Sequence, residues 1–467
     1  MLMHTEPSTL WEVSAQLGFN EALQDADDPR YVDTSPAREL GYTALFRDLG
    51  VNLQSQQIAQ NHPSKYVLFC GHRGTGKSTE LRRIRQQLNK PGLFKVILID
   101  AGQDVGLDLN NLEYPDVCLA LARALCEQLK DAEGIVIDPV FLTPLEKWFT
   151  ERVLVTESFK DWTGEATTGA DGTGADGKWG IPFLSEFFLK FSTTFKTGTK
   201  RKEEARTILK SSFGEFAEAF NKLILHVEER MERTWQARRL LFIVDGTDRL
   251  TGKDSDRFFI EDVYQLRQLR GLFLYCAPIH LVHASSAVRQ AFDHICKVPA
   301  LKLADKFDPR RPETRVEHPE AWDVMRQLIL RRAPARFFQP DPLATGDWST
   351  VDHFIRISGG HLRDLIRLLN YAFQNTTTDL FDLPSAQAAE KKLATDYRHI
   401  LKSTDYDRLA QIDTTAADAN ATDEETRALL YNLALLEYNS FWWQSHPAVR
   451  TLPSYQAALA KLPLPPP

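Results

Sequence analysis

Residues Tyr66–Thr79 read YVLFCGHRGTGKST: an apolar run, a glycine-rich loop, then a lysine and a serine. Gly71 and Gly76 bracket four residues, and Lys77-Ser78 completes the pattern G-x-x-x-x-G-K-[ST]. The glycines let the backbone curl so that several N–H groups point inward, where the phosphates of a nucleotide can sit. Gly71, His72, Arg73, Gly74, Thr75, Gly76, Lys77, Ser78 and Thr79 are therefore the candidate nucleotide-binding residues. Lys77 reaches the outer phosphates as a point charge and Ser78 ligates Mg²⁺. Upstream, Val67, Leu68, Phe69 and Cys70 suit a buried parallel strand. Downstream, Leu81, Ile84 and Leu88 recur at helical spacing, Pro91-Gly92 ends the helix, and the positive end of its dipole faces the loop.

A phosphate cradle of this kind needs an acid at the end of a neighbouring strand. The run Leu240–Asp245 supplies one, five apolar residues closing on a carboxylate that can hold the metal ion. Gly246 follows it, where a water-activating glutamate is often found, and Asp248 is the next carboxylate. Asp248 is read either as a general base or as a turn or ion-pair residue. A third strand is predicted over Ile279–Ser286, with Ser285 either sensing a phosphate or capping the helix Ala287–His294. His280 and His283 then point to opposite faces and make poor metal ligands. Gly359-Gly360 breaks one helix, and Leu362, Leu365, Ile366 and Leu369 begin another. Arg363 lies off that stripe near the helix N-terminus, where a cation needs an anionic partner, either a γ-phosphate or a nearby acid.

The chain has 467 residues, 43% hydrophobic and 25% charged, which fits a globular protein of several domains. A net charge of −7 argues against non-specific coating of nucleic acid, and no apolar stretch is long enough to cross a bilayer. No secretory leader is visible at the start of the chain. The five cysteines form no C-x-x-C pair and sit in apolar runs, which suits reduced thiols and a cytoplasmic location.

With these pieces in order, the chain resembles AAA+ ATPases, and within them the origin-recognition and STAND-like branches. The resemblance covers residues 37–450 and implies an α/β fold: a three-layer P-loop core with a parallel sheet, an α-helical lid and a C-terminal winged helix. It implies ATP and Mg²⁺ as cofactors, ATP hydrolysis as the activity, Asp245 as the metal acid and Gly360–Arg363 as the lid motif called sensor 2. The D-G-x-D form at Asp245–Asp248 is closer to STAND proteins than to motors. No arginine sits at the usual late position for a finger into a neighbouring subunit; Arg289 comes early, and Arg310, Arg311 and Arg315 lie on a loop. Proteins of this type form homo-oligomers or govern a protein effector, often in anti-phage defence. The competing readings are a DNA-binding loader using its winged helix and a nucleotide-binding scaffold without hydrolysis.

The expected organisation is an N-terminal arm over 1–36, the core over 37–315, the lid over 316–385 and the winged-helix-like module over 386–467. Phe94–Asp100 reads as a strand, Tyr114–Leu129 as a helix and Val298–Leu303 as the last strand. Within the core, 163–204 is an insertion, first Gly/Thr-rich and then, from Phe183 to Phe195, phenylalanine-rich, either a core element or a partner surface. A long helix is predicted over Ala205–Arg233, with Leu225 near its buried side and Lys200-Arg201-Lys202 as its solvated start. Leu435–Tyr438 and Phe441–Gln444 read as a hairpin after a capped helix. In STAND proteins a histidine at the close of this module contacts phosphate; His446 is the matching residue. The ending LPLPPP reads as an extended tail.

Overall fold

Five apolar runs lie side by side as one parallel sheet. After a short antiparallel pair, β1 (Val51–Asn52) and β2 (Gln57–Ile58), the sheet strands are β3 (Lys65–Gly71), β4 (Phe94–Asp100), β5 (Arg239–Asp245), β6 (Leu272–Pro278) and β7 (His294–Val298). Their order is β4-β5-β6-β3-β7. These elements come from a computed structural model describing residues 6–24, 27–38, 42–52, 54–59, 62–101, 112–130, 139–153, 156, 200–234, 239–284, 286–415, 423–438 and 442–463. The insertion up to residue 199, the phenylalanine-rich run included, Ser285, the hairpin turn at 439–441 and the last four residues of the tail lie outside the described residues.

The strands are apolar throughout because both faces of the sheet are covered. Leu68, Ile97, Ile99, Phe242, Phe273 and Tyr275 point into one core, whereas Val67, Phe69, Val96, Leu241, Ile243 and Leu274 point into another. That is the two-residue alternation of a strand. The second core is closed by the helix Lys77–Leu88 through Leu81, Ile84 and Leu88, the spacing that the loop's sequence announced. The first is closed by the helices Tyr114–Lys130 and Phe213–Thr234, with Phe242 and Phe273 stacked 4.9 Å apart across neighbouring strands. Burying a side chain of this size contributes on the order of 1.5–3 kcal/mol.

Two strand expectations are corrected, both at a proline. The strand between β3 and β5 is Leu272–Pro278, and Ile279–His283 is a 3₁₀ turn. Likewise the last strand is His294–Val298, not Val298–Leu303. Pro278 and Pro299 lack the N–H that would extend each ladder, so the apolar residues beyond them pack as turns. His280 and His283 thus lie in that turn rather than on opposite faces of a strand, and the helix after them is Ser286–Ala291.

The long helix is two, Lys200–Ser211 and Phe213–Thr234, because Ser212 stops the first and its carbonyl accepts the Glu215 and Phe216 N–H groups that start the second. Lys202 is buried rather than solvated, and Leu225 is exposed while Ile224 is buried. Beyond the sheet come the lid helices Pro319–Leu330, Ser349–Ser358, Leu362–Asn375 and Leu383–Ile400, the last of which runs across residue 386. The helices Ser403–Thr414 and Glu424–Tyr431 then precede an antiparallel hairpin of β8 (Leu435–Tyr438) and β9 (Trp442–Ser445). No helix among the described residues is long and apolar enough to cross a membrane, and all five cysteines are free and buried.

Candidate nucleotide site

The loop between β3 and the helix Lys77–Leu88 opens at the C-terminal edge of the sheet. Gly74 and Gly76 both take φ of +92°, which side chains rarely tolerate. A Cβ on Gly71 would stand 2.5 Å from the Val298 carbonyl oxygen, and one on Gly74 would overlap the Arg363 side chain. Gly71 and Gly74 are therefore fixed by close approach, and Gly74 and Gly76 by backbone curl.

Lys77 is buried, and its ammonium donates to the Gly71 carbonyl at 2.9 Å and the His72 carbonyl at 2.8 Å. Its third partner is Asp248 Oδ2 at 2.7 Å, delivered by the 3₁₀ turn Thr247–Arg249. Burial alone would push the Asp248 carboxyl up, but Lys77 holds it below the usual carboxylate range. Ser78 Oγ donates to Asp245 Oδ1 at 2.9 Å. Asp245 is fully buried, and burial together with Asp248 and Asp100 raises its pKa.

Two further groups belong here and were not predicted. Asp100 ends β4 level with Asp245 on β5. Arg82, one turn beyond Ser78, bridges them, 3.2 Å from Asp100 Oδ2 and 3.1 Å from Asp245 Oδ2. Asp100 was legible in principle, since FKVILID closes on an acid as LLFIVD does. Arg82 was not, because nothing in a helical pattern says which acid an arginine meets.

One hydroxyl and one carboxylate, Ser78 and Asp245, fit a hard divalent cation that takes its remaining ligands from phosphates and water. No group of three or more His, Cys, Asp or Glu side chains that could hold a metal ion exists among the described residues. Mg²⁺ bound at Ser78 and Asp245 would neutralise phosphate charge.

The cavity beside the loop has an apolar flank made by Phe19, Tyr31 and Val32 of the N-terminal segment and Leu328, Leu362 and Ile366 of the lid. The segment is tied to the loop: Leu23 N–H donates to Thr79 Oγ1 at 3.3 Å and Arg38 Nη2 to the Thr75 carbonyl at 2.7 Å. Arg363 lines the same cavity. Its backbone N–H donates to the Gly74 carbonyl at 3.1 Å and its Nε to the Phe19 carbonyl at 3.2 Å. Burial and the neighbouring Arg73 depress its pKa.

His446 is fully buried but lies outside the cavity lining, with Nε2 3.3 Å from Asp364 Oδ2. Asp364 also receives Tyr397 OH at 2.7 Å and has His361 Nδ1 at 3.1 Å, while His361 Nε2 contacts the Arg73 carbonyl at 2.7 Å. His446 thus reaches the loop through Asp364 and His361. On the other side, His72 Nε2 accepts the Glu437 N–H at 2.8 Å, so its Nδ1 carries the proton and donates to the Leu430 carbonyl at 3.2 Å. Burial, then the neighbouring His361, drives the His72 pKa down to about 3.

A parallel sheet ordered β4-β5-β6-β3-β7, with the glycine loop after β3 and the acid after β5, defines a P-loop nucleotide-binding core. Over most of its length the chain is similar in structure, at low identity, to several solved proteins. A Walker-type ATPase of Pyrococcus abyssi is 14% identical, with 92% of this chain and 97% of that one covered and a TM-score of 0.38. The RuvB Holliday junction branch migration motor of Thermotoga maritima is 10% identical (88% and 94% covered, TM-score 0.32). Cdc6p of Pyrobaculum aerophilum is 12% identical (94% and 99% covered, TM-score 0.33). No protein-family model matches the chain, and no curated protein does.

Proposed function

We propose that the chain binds ATP with Mg²⁺ at the P-loop and acts as a slowly hydrolysing switch, passing nucleotide state to its lid and C-terminal module. One observation carries this reading: both modules hold the P-loop itself. His361 and Arg363 of the lid contact the Arg73 and Gly74 carbonyls, and the His72 ring is held between Leu430 and Glu437. Phosphates entering the loop would draw Lys77 away from Asp248, so binding would change the charge pairing at the loop. The base fits the apolar flank between N-terminal segment and lid.

Slow turnover follows from Gly246, which leaves no carboxylate directly after Asp245, and from the engagement of Asp248 with Lys77. Asp248 is the base in this reading, released when Lys77 turns to phosphate. The output is assembly with further copies or control of an effector protein. A setting in anti-phage defence rests on the family resemblance alone.

The test is differential affinity. A charge-assisted hydrogen bond from Arg363 to the γ-phosphate contributes about 1.5–3 kcal/mol, so Arg363→Ala should weaken ATP at least ten-fold more than ADP. Calorimetry with both nucleotides reads this directly. Equal losses would make Arg363 a structural residue and remove the lid's sensing role.

A further inference from the structure

The linker after β7 crosses from the sheet to the lid and lies against the C-terminal hairpin, where the Phe307 carbonyl accepts from Gln444 Nε2 at 2.9 Å. Three guanidinium groups converge there on two aromatic rings. Arg315 and Arg450 lie over Phe307, with Cζ 5.5 and 5.2 Å from its centroid. Arg315 and Arg356 flank Trp322 at 6.0 and 5.9 Å. The three residues come from the linker, the end of the C-terminal module and the lid helix Ser349–Ser358.

Their pairing differs from that of Arg326 and Arg310. The latter two each reach both oxygens of one carboxylate. Among the described residues, Arg356 and Arg450 have no carboxylate within salt-bridge distance, and Arg315 has only Glu317, 3.5 Å from its Nε. Asp413, the buried acid nearby, accepts from Tyr455 OH and the Ser445 N–H and attracts Arg450 and Lys306 electrostatically without an ion pair to either. Arg315 Nε and Lys306 Nζ are both buried without a hydrogen-bond acceptor. Burial and the repulsion of Arg450 and Arg356 outweigh Glu317 and depress the Arg315 pKa. Orphaned buried donors are costly unless something satisfies them.

We propose that Arg315, Arg356 and Arg450 form a second anion site, separate from the P-loop, that takes the phosphate group of a small phosphorylated molecule. Planar guanidinium forks suit tetrahedral oxyanions. A compact ligand is favoured over a nucleic-acid backbone for two reasons. The Arg315 Nε donor is recessed, and the Glu317 carboxylate 3.5 Å from it would repel a long polyanion. Because lid, linker and C-terminal module each contribute a cation, the bound anion would tie the three together.

The proposal is independent of nucleotide binding at the P-loop. Pyrophosphate is the probe, titrated by calorimetry into a Lys77→Ala chain, where the P-loop's own attraction for it is removed. Binding is expected, and Arg356→Gln or Arg450→Gln in that background should weaken it about ten-fold or more, whereas Arg398→Gln, an exposed arginine outside the cluster, should leave it unchanged. Arg356 is exposed, so its variant tests the site even if the Arg450 variant fails to fold. A duplex oligonucleotide forms the second arm. Absence of pyrophosphate binding, affinity untouched by Arg356→Gln, or an oligonucleotide held through these arginines more tightly than pyrophosphate would each overturn the proposal. ATP binding that survives Lys77→Ala would instead count against the P-loop reading and leave this one standing.

Discussion

Charges at the sheet edge pair with one another: Lys77 holds Asp248, and Arg82 holds Asp100 and Asp245. Asp248→Asn removes the competitor for Lys77, so ATP should bind more tightly while single-turnover hydrolysis slows. Unchanged hydrolysis would strike Asp248 from the catalytic residues and leave it as the lysine's resting partner. Asp245→Asn should spare ATP binding and abolish Mg²⁺-dependent turnover; binding calorimetry and phosphate release separate the two. His72 carries a pH dependence whose sign is set by burial. Its folded pKa of about 3 lies below the unfolded value near 6.5, so its contribution is complete above that value and is lost as pH falls towards 3. At pH 5 the loss is about 2 kcal/mol from this residue, one and a half pK units. Denaturant titrations at pH 7 and pH 5 should show that His72→Gln loses less stability between them than the parent; an identical loss would mean that other buried histidines, His280 among them, carry the effect.

At the element level, the joints decide more than the helices. Gly360 takes φ of +77°, and a Cβ there would overlap the Leu301 carbonyl oxygen, where the linker passes the start of the helix Leu362–Asn375. Gly346 has nearly the same φ, +75°, with open space around it. Gly346→Ala should cost about 1–2 kcal/mol from backbone strain alone, and Gly360→Ala clearly more, because the lid helix must shift and take Arg363 with it. Thermal melts of the two variants check this, and equal costs would show that the close approach at Gly360 relaxes freely. Proline did the same work for the strands. The apolar runs after Pro278 and Pro299 have strand-like composition but no donor to continue a ladder, which is why reading by apolar content misplaced two strands while their order and partners followed from the sheet.

Across the whole chain, the C-terminal module is fastened to the core at Glu437. Its carboxylate takes His283 Nε2 and Lys297 Nζ, each at 2.7 Å, while its N–H reaches His72 in the P-loop. Burial would raise the Glu437 pKa, but the hydrogen bond from His283 and the charge of Lys297 pull it below its usual value. Removing one partner of a buried pair typically costs about 3–5 kcal/mol, so Glu437→Gln should destabilise the chain and speed hydrogen exchange in β8 and β9 first. Uniform exchange across the sheet strands as well would mean that the module and core open as one unit. From the sequence alone came the glycine loop, its strand and helix, the acid Asp245 at a strand end, the broken helix before Arg363 and the closing hairpin, because each rests on local spacing or on an apolar run ending in a charged residue. What lay beyond it were pairings between residues far apart in the chain: Asp248 with Lys77, Arg82 with two strand-end acids, His72 with Glu437, His446 with Asp364. A buried charge is satisfied by whichever partner the packing brings near, and that choice belongs to the tertiary structure.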